Sequence, residues 1–508
     1  MAAPSPASPG LGEIALSLSG GGFRAAGFHL GVLDALDRLG LLDEVTVLST
    51  ASGGSFVGAA LALSRARKEP FRTCFERLHA FLAADVVPGA ILAEFEAARS
   101  EPRARSLVVA ASRAYDRLLF EGATLGEILD GDGPLQDVLL NATELTSGLA
   151  FRFQRSASGQ ARIGNGNVWI PPEVARTLRV ADVVAASSCF PGAFEPMVFP
   201  DDFRGLHGAA RVLEGPASGA GRAVALMDGG IYDNQAIDGV RRAAARSGAT
   251  PPAIHLVSDT APPYPAMPPS KRPRAGTLWW WVVPAAILAV LAWLAVRVLA
   301  IAIVPGPRAW DVAALVVAAV VAAGWIGARA WFGVRGLVAR IPPLPRGVRA
   351  ALWRTVLRLR LGELGPLLGS RFRSVLELLS TVFTYRVRRL EYDQMYAEPA
   401  PRGPSPVAVL VYKLADEGPR SDPAALAPSE AVREVARRAV AVRTALWYAG
   451  PEELRALLAC GQLTACAALL EHAARAGAPA EVVTRLRALW DRLQEDPYAL
   501  VPTPRAGA

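Results

Sequence analysis

The sequence has few of the residues that build disulfide frameworks, metal sites or nucleic-acid surfaces. Its 508 residues include only four cysteines and five histidines, and aromatic residues make up 7%. The cysteines, which are Cys74, Cys189, Cys460 and Cys466, have neither metal-site spacing nor the pattern of a disulfide framework. We therefore expect small core residues in a reducing compartment. Basic and aromatic residues are not interleaved, which argues against nucleic acid as a partner.

Apolar residues, by contrast, are abundant. They make up 52% of the sequence, and the mean hydropathy is +0.27. Both values exceed those of ordinary soluble domains and indicate membrane segments. The net charge is +8 and the isoelectric point is near 9.6. Such a basic chain suits an anionic lipid surface.

The first 70 residues contain the same local pattern twice. An apolar run at 14–18 predicts a strand, glycines follow at 20–22, and a helical pattern covers 24–39. A second apolar run at 45–48 leads into STASGGS, and another helical pattern covers 56–66. Strand, glycine turn and helix in repetition predict a parallel βαβ arrangement. Both turns would then lie at the carboxyl edge of the sheet.

The two turns have the residue types of an anion site and a nucleophile. Backbone N–H groups of consecutive glycines at a helix N-terminus favour a phosphate or the oxyanion of an acyl intermediate. Ser52 stands among small neighbours in a strand-to-helix turn, as in a nucleophile elbow, although Thr50 occupies the first glycine position of that motif. A dinucleotide site is an alternative, but the second strand does not end in an acid. The glycines alone would also permit close helix packing.

Asp228 is the candidate base. It follows an apolar run at 223–226 and precedes two glycines, so we expect it at the carboxyl end of a strand. A turn aspartate that accepts local backbone hydrogen bonds is the alternative. The order Ser52, Asp228, His255 also matches a Ser–Asp–His triad. His255 falls in the middle of a predicted strand, however, and we expect it to be structural.

Six segments together resemble the patatin-like phospholipase family of bacterial type. They are SGGGFRAAGFHLGVL at 19–33, STASGGS at 49–55, NATELTSGLAFRF at 141–153, AASSCFPGAFEPM at 185–197, MDGG at 227–230 and RTALWYAGPEEL at 443–454. The last resembles a late helical segment of the family. The resemblance implies an α/β three-layer sandwich with a mainly parallel central sheet, here with an inserted transmembrane helical hairpin and a C-terminal helical segment.

The resemblance also implies a Ser–Asp dyad. Its residues would be Ser52 as nucleophile, Asp228 as base, and Gly20, Gly21, Gly22 and Arg24 as the oxyanion loop. No cofactor and no metal are expected. Thr50 and Ala25 depart from the glycines that many members of the family carry at these positions.

Two long apolar runs predict the hairpin. Residues 278–296 are uncharged, and 310–328 carry one acid at their edge. Each would be about 28 Å long as a helix, enough to cross a bilayer. Basic residues concentrate outside the pair, so the positive-inside rule places both flanking regions, including the catalytic domain, in the cytoplasm.

The sequence thus predicts a membrane-anchored serine acyl hydrolase that cleaves phospholipid or lysophospholipid esters. The alternatives are a catalytically silent membrane scaffold, and a thioesterase or non-lipid esterase on the same fold. The expected domains are a disordered tail at 1–10, a catalytic domain at 11–262, a linker and hairpin at 263–345, helices and a returning strand at 346–427, and a C-terminal helical region at 428–508. The partners would be the lipid substrate and the bilayer, with no nucleic acid, and the C-terminal helices would serve packing or self-association.

Overall fold

The fold was analysed in a computed structural model. It describes residues 10–98, 106–206, 212–218, 223–247, 251–261, 383–397, 403–415 and 426–502. The chain divides into two compact units, one formed by Met1–Pro265 with Leu378–Ala508 and the other by Ala266–Glu377. The second unit and both predicted membrane spans lie outside the described residues, as does the predicted tail apart from Gly10.

The described residues form one mixed sheet and a set of helices. The strands are β1 (Ile14–Leu18), β2 (Val45–Ala51), β3 (Asp137–Glu144), β4 (Ala150–Ser156), β5 (Ile163–Gly164), β6 (Trp169–Ile170), β7 (Met197–Phe199), β8 (Val224–Asp228), β9 (Ile254–Asp259) and β10 (Ser405–Leu410). The helices are α1 (Gly22–Arg38), α2 (Gly53–Ala66), α3 (Phe71–Ala83), α4 (Val87–Ala97), α5 (Leu107–Tyr115), α6 (Leu125–Leu129), α7 (Pro172–Ala175), α8 (Val180–Ser188), α9 (Gly230–Asp233), α10 (Ile237–Ser247), α11 (Phe383–Ala397), α12 (Glu430–Ala441), α13 (Pro451–Ala476) and α14 (Ala480–Glu495).

The strand order is β10-β9-β1-β2-β3-β4-β5-β6, with β8 on β3 and β7 on β8. The first five strands of this order are parallel, and the remaining pairings are antiparallel. The predicted βαβ arrangement is therefore confirmed for β1, α1, β2 and α2. β10 belongs to the same sheet, because it pairs in parallel with β9.

Helices cover both faces of the sheet, which makes the fold a three-layer sandwich. Successive side chains of a strand point to opposite faces. On β1, Ile14, Leu16 and Leu18 belong to the main core, which also contains α1, α2 and α13. Ala15 packs on the other face with Val240 of α10. Continuous burial along β1 follows from this cover on both sides.

Two strands meet end to end along one side of β3. β2 pairs with β3 as far as Ala51 opposite Asn141, and β8 pairs with the next positions, with Asp228 opposite Ala142. β4 occupies the other side of β3 over the same residues. The carboxyl ends of β2 and β8 therefore converge from opposite directions. Asp228 ends a strand, as expected, and that strand is antiparallel to β3.

The C-terminal helix α13 is long and apolar enough to cross a membrane, and within the described residues it is the one single helix that meets this criterion. Its apolar window is 89% buried inside the protein, and a core helix meets the same criterion. α13 packs closely on α1, since a Cβ added to Gly31 would lie 2.1 Å from the Leu458 carbonyl oxygen. This packing joins the C-terminal region to the catalytic domain. Helices α3 and α4, which are separated by a sharp bend, meet the length and hydropathy criterion only when they are counted together as one span.

The described residues between β2 and β3 are mainly helical, and Phe75, Leu78, Phe81 and Leu82 lie in the main core. These side chains therefore serve packing. Val212 and Leu213 are buried but do not form a strand.

Candidate active site

Ser52 occupies a strained turn between β2 and α2. Its φ is +50° and its ψ is −121°, a backbone conformation that non-glycine residues rarely adopt. The turn is possible because small residues surround it: a Cβ added to Gly53 would lie 2.2 Å from the Gly22 carbonyl oxygen. The side chain of Ser52 retains 8% exposure. This geometry is that of a nucleophile elbow.

The side chain of Thr50 fits in the elbow because Gly58, about one turn into α2, has no side chain there. A Cβ added to Gly58 would lie 2.3 Å from the Thr50 methyl carbon. The Thr50 hydroxyl lies 2.8 Å from the Ser55 hydroxyl, so the buried polar atom is also satisfied. The departure from glycine at position 50 is therefore compensated by glycine at position 58.

Asp228 lies within hydrogen-bond distance of Ser52. The Ser52 hydroxyl donates to Asp228 Oδ2 at 2.6 Å, and the Gly230 amide donates to Oδ1 at 2.7 Å. Asp228 is 2% exposed. Burial raises the pKa of its carboxyl to about 6, although the hydrogen bonds from Ser52 and Gly230 act in the opposite direction. A carboxylate in this range can accept a proton near neutral pH.

The glycine loop between β1 and α1 lies beside Ser52. A Cβ added to Gly20 would be 3.0 Å from the Ser52 Cβ. The Gly20 amide donates to the Asn234 carbonyl at 2.8 Å. Within the described part of the chain, the amides of Gly21 and Gly22 have no hydrogen-bond partner. These two amides are therefore the available donors of the predicted oxyanion loop.

Arg24 and Thr260 form hydrogen bonds that fix the glycine loop to the segment after β9. Arg24 donates to the Thr260 carbonyl at 2.7 Å and to the Val442 carbonyl at 3.4 Å. Thr260 donates through its hydroxyl to the Gly20 carbonyl at 3.0 Å and through its amide to Ser19 Oγ at 3.1 Å. The guanidinium is thus engaged by main-chain carbonyls, and Arg24 fixes the position of the loop. Thr260 follows β9, and no motif in the sequence pointed to it.

The C-terminal region also reaches this loop. The Ala445 carbonyl accepts a hydrogen bond from the Phe23 amide at 2.8 Å, and the Tyr448 hydroxyl donates to the Phe23 carbonyl at 2.6 Å. Residues 443–450 are not helical, and α13 begins only at Pro451. Residues 443–450, which the resemblance assigned to a late helical segment, are therefore non-helical and contact the start of α1.

His255 and His29 have their hydrogen-bond partners outside the Ser52–Asp228 pair. His255 Nε2 is 2.8 Å from Ser17 Oγ in the sheet interior. His29 contacts the Ser19 carbonyl at 2.8 Å and the Ser258 hydroxyl at 2.7 Å. Because a carbonyl only accepts, His29 Nε2 carries the hydrogen in that bond. Neither histidine contacts Ser52 or Asp228, which agrees with the expectation of a structural role.

The site thus combines a hydroxyl, a carboxylate that accepts its hydrogen bond, and two available main-chain amides. A hydroxyl paired with a base can act as a nucleophile. Amides beside it can stabilise negative charge that develops on a carbonyl oxygen. This combination is suited to acyl transfer from an ester.

Comparisons with known proteins found one matching family model and similar solved structures. The family model described as patatin-like phospholipase matches residues 16–241. Two solved structures are similar to parts of the chain. Human GIVD cytosolic phospholipase A2 is 19% identical with a TM-score of 0.26, over 35% of this chain and 28% of that one. VipD from Legionella pneumophila is 16% identical with a TM-score of 0.22, over 45% of this chain and 47% of that one.

The chain thus spans less than half the length of either of these two structures. No curated protein matches the chain. The matched region contains the glycine loop, Ser52 and Asp228, and residues 16–241 are therefore a patatin-like phospholipase domain.

Proposed function

We propose that this protein is a lipid acyl hydrolase in which Ser52 is the nucleophile and Asp228 is its base. The observation that carries the proposal is the 2.6 Å hydrogen bond from Ser52 Oγ to a buried carboxylate. Membership of residues 16–241 in the patatin-like phospholipase family supports the choice of lipid esters as the substrate class.

The reaction would proceed in two balanced steps. Ser52 Oγ bonds to the ester carbonyl carbon while its proton passes to Asp228, and the amides of Gly21 and Gly22 donate to the oxyanion. The ester C–O bond then breaks, and the leaving alkoxide takes the proton from Asp228. In the second step water attacks the acyl-serine, Asp228 accepts the water proton, and Ser52 leaves with that proton as the fatty acid is released. Gly20 and Arg24 would keep the loop in place.

The substrates we propose are membrane phospholipids or lysophospholipids. The apolar runs at 278–296 and 310–328 would anchor the chain in the bilayer, with the catalytic domain on the cytoplasmic side. Such anchoring would keep the site close to an insoluble substrate. Self-association would involve the C-terminal helices.

The test is release of fatty acid by the full chain in detergent or reconstituted vesicles. We expect hydrolysis of phospholipid or lysophospholipid vesicles by the wild type, and its loss in Ser52→Ala. Faster turnover of soluble p-nitrophenyl or thioester substrates, with no action on vesicles, would indicate the esterase or thioesterase alternative. No turnover of any acyl substrate would favour the silent scaffold.

A further inference from the structure

Ser187, near the carboxyl end of α8, contacts both halves of the Ser52–Asp228 pair. Its hydroxyl accepts a hydrogen bond from the Ser52 amide at 3.1 Å. Its carbonyl accepts one from the Gly229 amide, the residue after Asp228, at 3.0 Å. The last carbonyls of a helix have no intrahelical partner, so the carbonyl is available for this contact.

The remaining contacts of the Ser187 hydroxyl determine where its hydrogen points. The hydroxyl lies 2.6 Å from the Asn141 carbonyl, which can only accept, so Ser187 donates there. It must then accept from the Ser55 hydroxyl, 2.8 Å away. The Ser55 hydroxyl also lies 2.8 Å from the Thr50 hydroxyl. The Ser187 hydroxyl is fully buried, with its donor and acceptor positions occupied.

These contacts coincide with the point where β2 and β8 meet end to end. Asn141 pairs with Ala51 at the end of β2, and the neighbouring Ala142 pairs with Asp228 at the end of β8. No main-chain hydrogen bond within the sheet joins β2 directly to β8. Ser187 therefore supplies a link across this junction, through its side chain to one strand end and its main chain to the other.

We propose that Ser187 is a positioning residue that sets the distance and direction between the Ser52 hydroxyl and Asp228. The inference rests on the proposed function, because it concerns the same dyad. Without its hydroxyl, the Ser52 amide and the Asn141 carbonyl each lose a partner, and the strained elbow loses a contact that fixes its orientation. A displacement of the nucleophile by about 1 Å can reduce turnover by about 100-fold.

Two neighbouring serines provide matched controls. Ser55→Ala removes the other bond to Ser187 but leaves the bond from the Ser52 amide intact. Ser188→Ala removes a hydroxyl one position along the chain, which donates to the Val184 carbonyl of its own helix at 2.7 Å. Ser187→Thr retains the hydroxyl. If the role of Ser187 were only structural, Ser55→Ala and Ser187→Ala would lower activity in proportion to their losses of thermal stability.

The experiment measures kcat, KM and melting temperature for the full-length variants on one soluble acyl ester. We expect Ser187→Ala to lower kcat by about 10- to 100-fold with KM changed less than about threefold. Ser55→Ala should lower kcat about threefold, and Ser188→Ala less than twofold. Ser187→Thr should recover most of the lost rate. Equal kcat values for Ser187→Ala and Ser188→Ala would overturn the proposal.

The pH profile gives a second readout, independent of stability. The hydrogen bond from Ser52 lowers the pKa of Asp228, so loss of alignment should raise that pKa. The acid limb of kcat/KM should therefore move to higher pH in Ser187→Ala and stay in place in both controls. If the acid limb of Ser187→Ala does not move, the positioning role of Ser187 is contradicted, but the proposed function is not. A wild type without acyl hydrolase activity and without reaction of Ser52 with a fluorophosphonate contradicts the proposed function, and the inference with it.

Discussion

Two of the hydrogen bonds between a serine and a potential base differ in a way that bears on the chemistry. One joins Ser52 to Asp228 at 2.6 Å, where two strands end. The other joins Ser17 to His255 at 2.8 Å, in the middle of two paired strands. Both pairs are buried, yet Ser52 retains some exposure whereas Ser17 has none.

The two pairs also differ in whether the serine donates or accepts the hydrogen bond. Ser17 Oγ lies 3.0 Å from the Ala236 carbonyl, to which it donates. It must therefore accept the hydrogen bond from His255 Nε2, so the imidazole does not act as a base toward it. In the other pair the serine donates and the carboxylate accepts. A serine beside a basic group is thus a candidate nucleophile only when its own hydrogen points to that group.

Burial has opposite consequences for the two bases. It raises the pKa of Asp228 to about 6 and lowers that of His255 to about 3, because it disfavours the charged form in each case. Asp228 is therefore brought closer to neutral pH, where it can exchange a proton. Burial thus favours the neutral form of His255.

The largest expected difference is between Asp228→Asn and His255→Ala. Asparagine cannot accept the Ser52 proton, so we expect kcat/KM to fall by about 10³- to 10⁴-fold. His255→Ala should keep activity within about threefold in the folded protein. Its melting temperature should fall, because the buried Ser17 oxygen loses its donor. Initial rates and thermal melts measure both effects. Near-complete loss of activity in well-folded His255→Ala would support a histidine-dependent triad.

The second expected effect is on the pH dependence of the wild type. Asp228 must be ionised to act as a base, and its pKa is raised to about 6. We therefore expect kcat/KM to be level above that pH and to fall about tenfold per pH unit below it. A profile on a soluble ester measures this limb. A limb near pH 4, the ordinary value for aspartate, would contradict the raised pKa.

A smaller effect is expected at Thr260. Thr260→Val removes the hydroxyl that donates to the Gly20 carbonyl but keeps the shape and both main-chain contacts. We expect kcat to fall about tenfold, because the oxyanion loop is less well fixed. Thr260→Ser serves as the control and should retain most of the rate. Equal rates for the valine and serine variants would exclude a role for this hydroxyl.

The last expected effect is on stability, not on rate. Because the native pKa of Asp228 exceeds its unfolded value of 3.8, ionising it destabilises the fold. This cost is absent below about pH 4 and complete above about pH 6. Asp228→Asn removes the cost, and its amide can still bond to Ser52 and Gly230. We expect it to stabilise the protein by about 1–3 kcal/mol at pH 8, with the difference vanishing toward pH 4. Denaturant unfolding at both pH values tests this, and a variant less stable at pH 8 would contradict it.

Local patterns in the sequence were enough to predict much of the site. The glycine turn and the elbow each follow a short apolar strand and begin a helix, so both were recognisable from neighbouring residues alone. Asp228 was recognisable because it ends an apolar run before two glycines. The family resemblance then combined these segments in one domain.

The features that could not be predicted all depend on distant segments. The register of β8 against β3 decides that Asp228 meets Ser52 end to end, and nothing local to either strand specifies it. Compensation of Thr50 by Gly58 depends on the contact between β2 and α2. Thr260 and Ala445 reach the glycine loop from more than two hundred positions away. Contacts of this kind arise from packing and leave no periodic pattern in the sequence.

The most direct test of the central claim is to locate the serine that reacts. The full-length wild type, Ser52→Ala and Ser17→Ala would each be treated with a fluorophosphonate, followed by intact mass measurement and peptide mapping. We predict a single adduct on Ser52 in the wild type and in Ser17→Ala, and none in Ser52→Ala. An adduct on another serine, or undiminished lipid hydrolysis by Ser52→Ala, would contradict the account.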